Sequence, residues 1–206
     1  RKALYYGAVN QKLAGRYDLA IQGLRQFHSR YPEGLFSEEG AFELAVIAFE
    51  MGRYGESIET LLPMARRLET LARPGEVLTF LGEAYFANGE FTRSLQTFEL
   101  AETRVEIPQE TKVQARFQKA WVQYSNNAYA QALPLFESVH RLYPDSEVAP
   151  EALFWGADSR FQTADFEGAA AAFGAFIDQY PGHPLIGAAY YAMAWSHFMS
   201  GEYEEV

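Results

Sequence analysis

Residues 15–20 read GRYDLA, and close variants return along the chain: GRYGES at 52–57, GEFTRS at 89–94, NAYAQA at 127–132, ADFEGA at 164–169 and GEYEEV at 201–206. Their aromatic residues, Tyr17, Tyr54, Phe91, Tyr129, Phe166 and Tyr203, are separated by 37, 37, 38, 37 and 37 positions. A fixed period of this length marks a repeat architecture, in which each unit buries its apolar face only against its neighbours.

The unit around GEFTRS shows what is repeated. In LTFLGEAYFANGEFTRSLQTFELAETRVEIP (78–108), Leu78, Leu81, Gly82 and Tyr85 fall at i, i+3, i+4 and i+7, one face of a helix. Asn88-Gly89 breaks it, since glycine accepts the positive φ that ends helices. Ser94, Leu95, Phe98 and Ala101 then mark a second helical face, and Pro108 cannot continue it.

Small residues recur where the two helices of a unit cross. Ala8, Ala45, Gly82, Ala120, Ala157 and Ala194 hold one position of the first helix. Ala20, Ser57, Ser94, Ala132 and Ala169 hold one of the second, each followed four residues later by Leu24, Leu61, Phe98, Phe136 or Phe173. Small opposite large is how helices interdigitate at native density. The expected fold is all-α: about five helical hairpins and a truncated sixth in one array over 1–206, divided near 1–34, 35–73, 74–108, 109–145, 146–182 and 183–206. Pro63 and Pro134 fall inside second helices and are expected to bend them. Repeat two has Glu69 where a terminal proline is expected, with Arg73-Pro74-Gly75 as a later break.

The Gly-x-Tyr turn, the small residue, the Phe and the terminal Pro resemble the tetratricopeptide repeat, whose usual period of about 34 is some three residues shorter. Tyr31-Pro32, Tyr143-Pro144 and Tyr180-Pro181 close three repeats. The junctions YPDSEVAPEALFWGA and YPGHPLIGAAYYAMA resemble bacterial envelope members of that superfamily, the outer-membrane assembly lipoproteins and the Tol-Pal coordinator. The resemblance implies a right-handed superhelix whose first helices line a concave wall, and a periplasmic or envelope location.

On that wall the spacing places Tyr5, Phe42, Thr79, Phe117, Phe154 and Tyr191 in one column, and Lys12, Phe49, Phe86, Tyr124, Phe161 and Phe198 in another. Val9, Val46, Glu83, Trp121, Asp158 and Trp195 lie between them, and Glu39, Glu76 and Glu151 add carboxylates. The expected partner-binding groove is Phe42, Phe49, Glu83, Phe86, Phe117, Trp121, Tyr124, Phe154, Asp158, Phe161, Tyr191, Trp195 and Phe198. Its expected ligand is a protein or peptide segment with apolar residues plus Lys or Arg. The same rings also suit packing between repeats, and both readings stand at this point. The Lys and Asn of a chaperone-tail clamp are missing from Tyr5, Val9, Phe42 and Val46.

Composition narrows the classes. The net charge of −10 opposes phosphate backbones, so nucleic acid is not an expected partner. No apolar run has the length of a membrane span. There is no cysteine, which excludes disulfides and thiolate metal sites. The four histidines, His28, His140, His183 and His197, are scattered, with no i, i+4 pair of the kind that binds zinc on a helix. Glu76 and Glu83 share a helix face but are read as solvated carboxylates. Neither a nucleophile elbow nor a phosphate loop is present. The chain therefore reads as a non-catalytic scaffold without cofactor or metal. The alternative is a cytoplasmic adaptor or regulatory segment of a larger protein, with a glycan-acting helical array as a third reading. The chain starts with Arg1 and stops inside a hexad, which reads as an excerpt of a longer protein. Tyr190, Tyr191, Ala194, Trp195 and Phe198 are expected to leave apolar surface at the last repeat, open to further repeats or self-association.

Overall fold

The computed structural model describes residues 2–201. Among them are eleven α-helices and no strand: α1 (Lys2–Leu13), α2 (Tyr17–Arg30), α3 (Leu35–Glu50), α4 (Tyr54–Ala65), α5 (Pro74–Ala87), α6 (Phe91–Thr103), α7 (Gln109–Ser125), α8 (Tyr129–Leu142), α9 (Ala149–Gln162), α10 (Phe166–Gln179) and α11 (Ile186–Ser200). They form two compact units, 1–107 and 108–206. In the first, α1 to α6 pack each on the next in chain order; in the second, α7 to α11 do the same. Each unit is thus a row of helical hairpins, the architecture of an α-α solenoid.

The hexads explain why the chain turns where it does. Gly15, Gly52, Gly89, Asn127, Ala164 and Gly201 all have φ between +59° and +87°. In the five complete turns, the left-handed residue donates its N–H three residues back and the next residue donates five back. At Gly89 these bonds are Gly89 N to Phe86 O (2.9 Å) and Glu90 N to Tyr85 O (2.8 Å). At Ala164 they are Ala164 N to Phe161 O (3.0 Å) and Asp165 N to Arg160 O (2.9 Å). This paired closure satisfies the orphan carbonyls of the ending helix. The residue that makes the longer bond then starts the following helix: the carbonyls of Arg16, Arg53, Glu90, Ala128 and Asp165 accept from Ala20, Ser57, Ser94, Ala132 and Ala169.

The hexad aromatic is the first residue of α2, α4, α6, α8 and α10. From there it packs back across its own turn. Tyr54 lies 5.1 Å from Phe49, Phe91 5.7 Å from Phe86, Tyr129 5.1 Å from Tyr124 and Phe166 5.2 Å from Phe161. Tyr203 lies outside the described residues.

Deeper in each hairpin, the small residues Ala20, Ser57, Ser94, Ala132 and Ala169 are fully buried, and so are Leu24, Leu61, Phe98, Phe136 and Phe173. Gly82 stands where other repeats carry alanine because the Phe98 ring occupies the place of a Cβ: one added there would lie 2.6 Å from a ring carbon. Pro63 and Pro134 are exposed, and α4 and α8 run on past them. In repeat two the chain makes a 3-10 turn at Leu68–Thr70, with Leu68 buried, and Pro74 opens α5 as its first residue.

The two Tyr-Pro junctions of the second unit use the same pair of bonds. Ser146 N donates to Tyr143 O and Ala149 N to Ser146 O; His183 N donates to Tyr180 O and Ile186 N to His183 O. Each pair leads the chain from a second helix into the following first helix.

Ala164 is a non-glycine residue held left-handed, which costs about 1–2 kcal/mol. Ala164→Gly is expected to raise unfolding free energy by about 1 kcal/mol after the entropy glycine adds to the unfolded chain, measured by urea melts. In the core, Phe136→Ala is expected to cost about 3–5 kcal/mol and Ala132→Leu about 1–3 kcal/mol in the same assay.

Candidate functional site

The residues expected on the groove wall divide between the units. In the first, Phe80 stands between two of them, 5.4 Å from Phe42 and 5.2 Å from Phe49. Phe42 also borders a small pocket with Glu38, Glu39, Arg73 and Glu76, with room for about one water (≈ 20 Å³). Arg73 pairs with Glu76 at 2.9 Å, which ties down that carboxylate. Glu83 is half-buried on α5, and burial pushes its carboxyl above the usual carboxylate range. Phe86 is taken up by Phe91 across the turn. Lys12, at the equivalent position of the first repeat, instead reaches over to Glu43 at 2.8 Å.

The second unit gathers a denser cluster. Trp121 and Tyr124 on α7 stack at 5.5 Å with planes 13° apart. Trp155 of α9 stands edge-on to both, 4.9 Å from Trp121 and 5.2 Å from Tyr124. The Tyr124 hydroxyl donates to Asp158 Oδ2 at 2.5 Å, and Gln162 Nε2 approaches the same oxygen at 3.3 Å. Burial, and then this bond to a carboxylate, push the Tyr124 phenol well above its ordinary range. Three rings and one anchored carboxylate thus share a face of α7 and α9, with Trp121, Tyr124, Trp155 and Asp158 all partly exposed.

Other expected residues take different places. Phe154 is a correction: it is buried, against Phe173 at 5.4 Å and Phe176 at 5.6 Å, and belongs to the hairpin core. Phe117 leans on the buried Phe136 at 5.5 Å, and Phe161 on Phe166. On α11, Trp195 and Phe198 stack at 5.1 Å and remain about half exposed, and Tyr191 is exposed. The equivalents of Tyr191 and Phe198 one repeat earlier are Phe154 and Phe161, which α10 covers.

Phe80 and Trp155 were missed by the column reading. Both lie one residue past the first column, at the place of Tyr6, Glu43, Gln118 and Ala192. The signal was present: Thr79 interrupts an otherwise aromatic column and Phe80 follows it, and Phe154-Trp155 is an adjacent pair. The position one step on is the one that reaches the first helix of the preceding repeat.

The histidines do not converge. His28 Nδ1 lies 2.9 Å from Ser37 Oγ, and His183 Nε2 lies 3.3 Å from Glu151 Oε1. Among the described residues no group of three or more histidines and carboxylates is placed to hold a metal ion. No described helix is long and apolar enough to cross a membrane.

These observations define the class of protein: a helical-hairpin repeat array with an aromatic and acidic patch on its first-helix face. Tetratricopeptide-repeat family models match residues 2–34 and 42–110, and the outer membrane lipoprotein model, YfiO, matches 109–204. The chain belongs to the tetratricopeptide-repeat superfamily, and its second unit resembles the outer membrane lipoprotein family. Solved structures agree in fold. A tetratricopeptide repeat protein from Parabacteroides merdae matches at 16% identity and TM-score 0.73, over 98% of this chain and 73% of that one. The C-terminal part of a TPR repeat-containing protein from Cytophaga hutchinsonii matches at 15% and 0.75, over 96% and 72%. MamA from Desulfovibrio magneticus matches at 17% and 0.65, over 81% and 87%. Among curated proteins none matches.

The phenols give a pH signature. Tyr124 is raised, and in the first unit burial pushes Tyr5 up to about 12. The fold therefore holds these protons more tightly than the unfolded chain does. That stability is complete below the ordinary tyrosine value of about 10 and is lost as pH rises through the folded values. Alkaline melts of the parent chain are expected to lose stability above about pH 10, with a smaller loss in Tyr124→Phe, followed alongside phenolate absorbance.

Proposed function

We propose that this chain is a non-catalytic scaffold of the bacterial cell envelope that docks a segment of a partner protein on the first-helix face of its second unit. The observation that carries this reading is the cluster of Trp121, Tyr124 and Trp155 against Asp158. Large amphipathic rings with partial exposure dominate binding energy at protein interfaces. Asp158 retains acceptor capacity beside them, and the second unit carries 12 acidic against 5 basic residues. Both favour a segment that presents an apolar residue next to Lys or Arg, its cation over a ring face or against the carboxylate. The envelope location is supported by the likeness of residues 109–204 to the outer membrane lipoprotein family.

The test is cross-linked capture from envelope extracts of the source bacterium with the parent chain and with Trp121→Ala, followed by affinity measurement on the species found. Trp121→Ala is expected to lose about 2 kcal/mol or more of binding while the chain stays folded, with a lowered melting temperature because the indole also packs against the core. Affinity is expected to fall as salt is raised. Equal affinity of the variant overturns the site.

A further inference from the structure

A second surface of the same unit is unused by the aromatic face. Between α8 and α10, with α9 as its floor, lies a pocket of ≈ 240 Å³ bordered by His140, Arg141, Leu153, Gly156 and the ion-paired Glu137 and Arg160, with Ala152 and Ala172 among its small residues. An engineered cavity of about 150 Å³ already accepts a benzene ring.

The repeat itself shows why there is room. The positions equivalent to Gly156 are Gly7, Leu44, Leu81, Lys119 and Met193, so four of the six repeats carry a long side chain there. Leu81 is buried in the cluster that holds Leu61 and Met64 of the preceding second helix. Met193 reaches toward α10, its Sδ 3.7 Å from where a Cβ on Gly174 would stand. At Gly156 no such side chain exists, although one would fit: an added Cβ meets only the Phe136 Cβ, at 3.5 Å, an ordinary contact. Gly156 lies within α9 and is not among the positive-φ residues. Neither backbone conformation nor close approach demands glycine there, and inside a helix it costs about 1 kcal/mol relative to alanine.

The opposite wall departs from the repeat as well. His140 is the equivalent of His28, whose Nδ1 meets Ser37 Oγ. The residue equivalent to Ser37 is Ala149, and His140 Nδ1 is buried with no hydrogen-bond partner. Beside it, Arg141 is exposed and has no ion pair among the described residues, in a unit where acidic side chains outnumber basic ones.

We propose that this pocket docks a partner polypeptide that inserts one Leu or Met side chain into the space left by Gly156 and sets a carboxylate against Arg141. The side-chain class follows from Leu44, Leu81 and Met193, the equivalents that pack toward the preceding second helix, and the charge from the unpaired guanidinium. At 100° per residue, Gly156 and Asp158 project from opposite flanks of α9, so this site stands or falls independently of the aromatic face.

The test is an NMR titration of the labelled chain with two blocked peptides, acetyl-Gly-Met-Glu-Gly-amide and acetyl-Gly-Ala-Glu-Gly-amide. The Met peptide is expected to shift the amides of Ala152, Gly156 and Ala172 saturably, and the Ala peptide to bind roughly tenfold more weakly or worse. Arg141→Gln is expected to weaken the Met peptide roughly two- to fivefold. Gly156→Met is expected to abolish those shifts while melting at or above the parent temperature. Equal response to both peptides, binding that survives Gly156→Met, or a lowered melting temperature in that variant overturns the proposal. An unchanged affinity in Arg141→Gln overturns its carboxylate.

Discussion

Everything in this chain depends on one closure, the residue that ends a first helix and begins a second. Its N–H caps a carbonyl five residues back and its own carbonyl accepts the first bond of the next helix. Two helices whose hydrogen bonds meet on a single residue have little freedom of approach. The small residue four positions later then meets the first helix closely, and the large residue another turn on fills the space between them. The left-handed residue just before the closure makes this possible, and it need not be glycine: Asn127 and Ala164 occupy the same backbone state. What is repeated is a geometry, and the residue type follows only where the geometry is strained.

The aromatic at the head of each second helix supports that geometry from outside. In α4, α6, α8 and α10 it packs against the ring five residues earlier and bridges the turn that the hydrogen bonds close. Such ring pairs are worth about 0.5–1.5 kcal/mol beyond their buried area. In a linear array, stability is close to a sum of unit and neighbour contributions, so the same modest contribution recurs at each of these four turns. It also decides how much of the second aromatic column is left for a ligand. Phe49, Phe86 and Phe161 are held by their own turns. Tyr124 is held too, yet its hydroxyl extends past the ring to Asp158 and carries the turn's rigidity into the exposed patch.

The period, the helix pairs, the turn and the small-large contacts were legible because each depends on contacts within one repeat, where sequence spacing and spatial distance are nearly the same quantity. The wall was harder. Its membership depends on how one first helix lies against the next, and a shift of one residue rotates a side chain by 100°. That is why Phe154 falls into the core while its neighbour Trp155 reaches Trp121, and why Phe80 rather than Thr79 spans Phe42 and Phe49. That Glu83 is half-buried was not legible in the spacing.

The two units share one scaffold and differ in what they place on it. In the first, Phe80 fills the gap between Phe42 and Phe49, and Arg73 neutralises Glu76, so rings and charges are largely satisfied among themselves. In the second, the comparable gap is closed by Trp155, Trp121 stays partly exposed, and the carboxylate beside it is held by a phenol instead of a cation. A phenol orients a carboxylate without cancelling its charge. Net charge follows the same division, −3 over residues 1–107 and −7 over 108–206. On the proposed reading, an acidic surface that keeps its carboxylate oriented and un-neutralised beside partly exposed indole suits a cationic partner. The same rings also pack against the hairpin core beneath them, so the patch is held rigid by the fold that displays it.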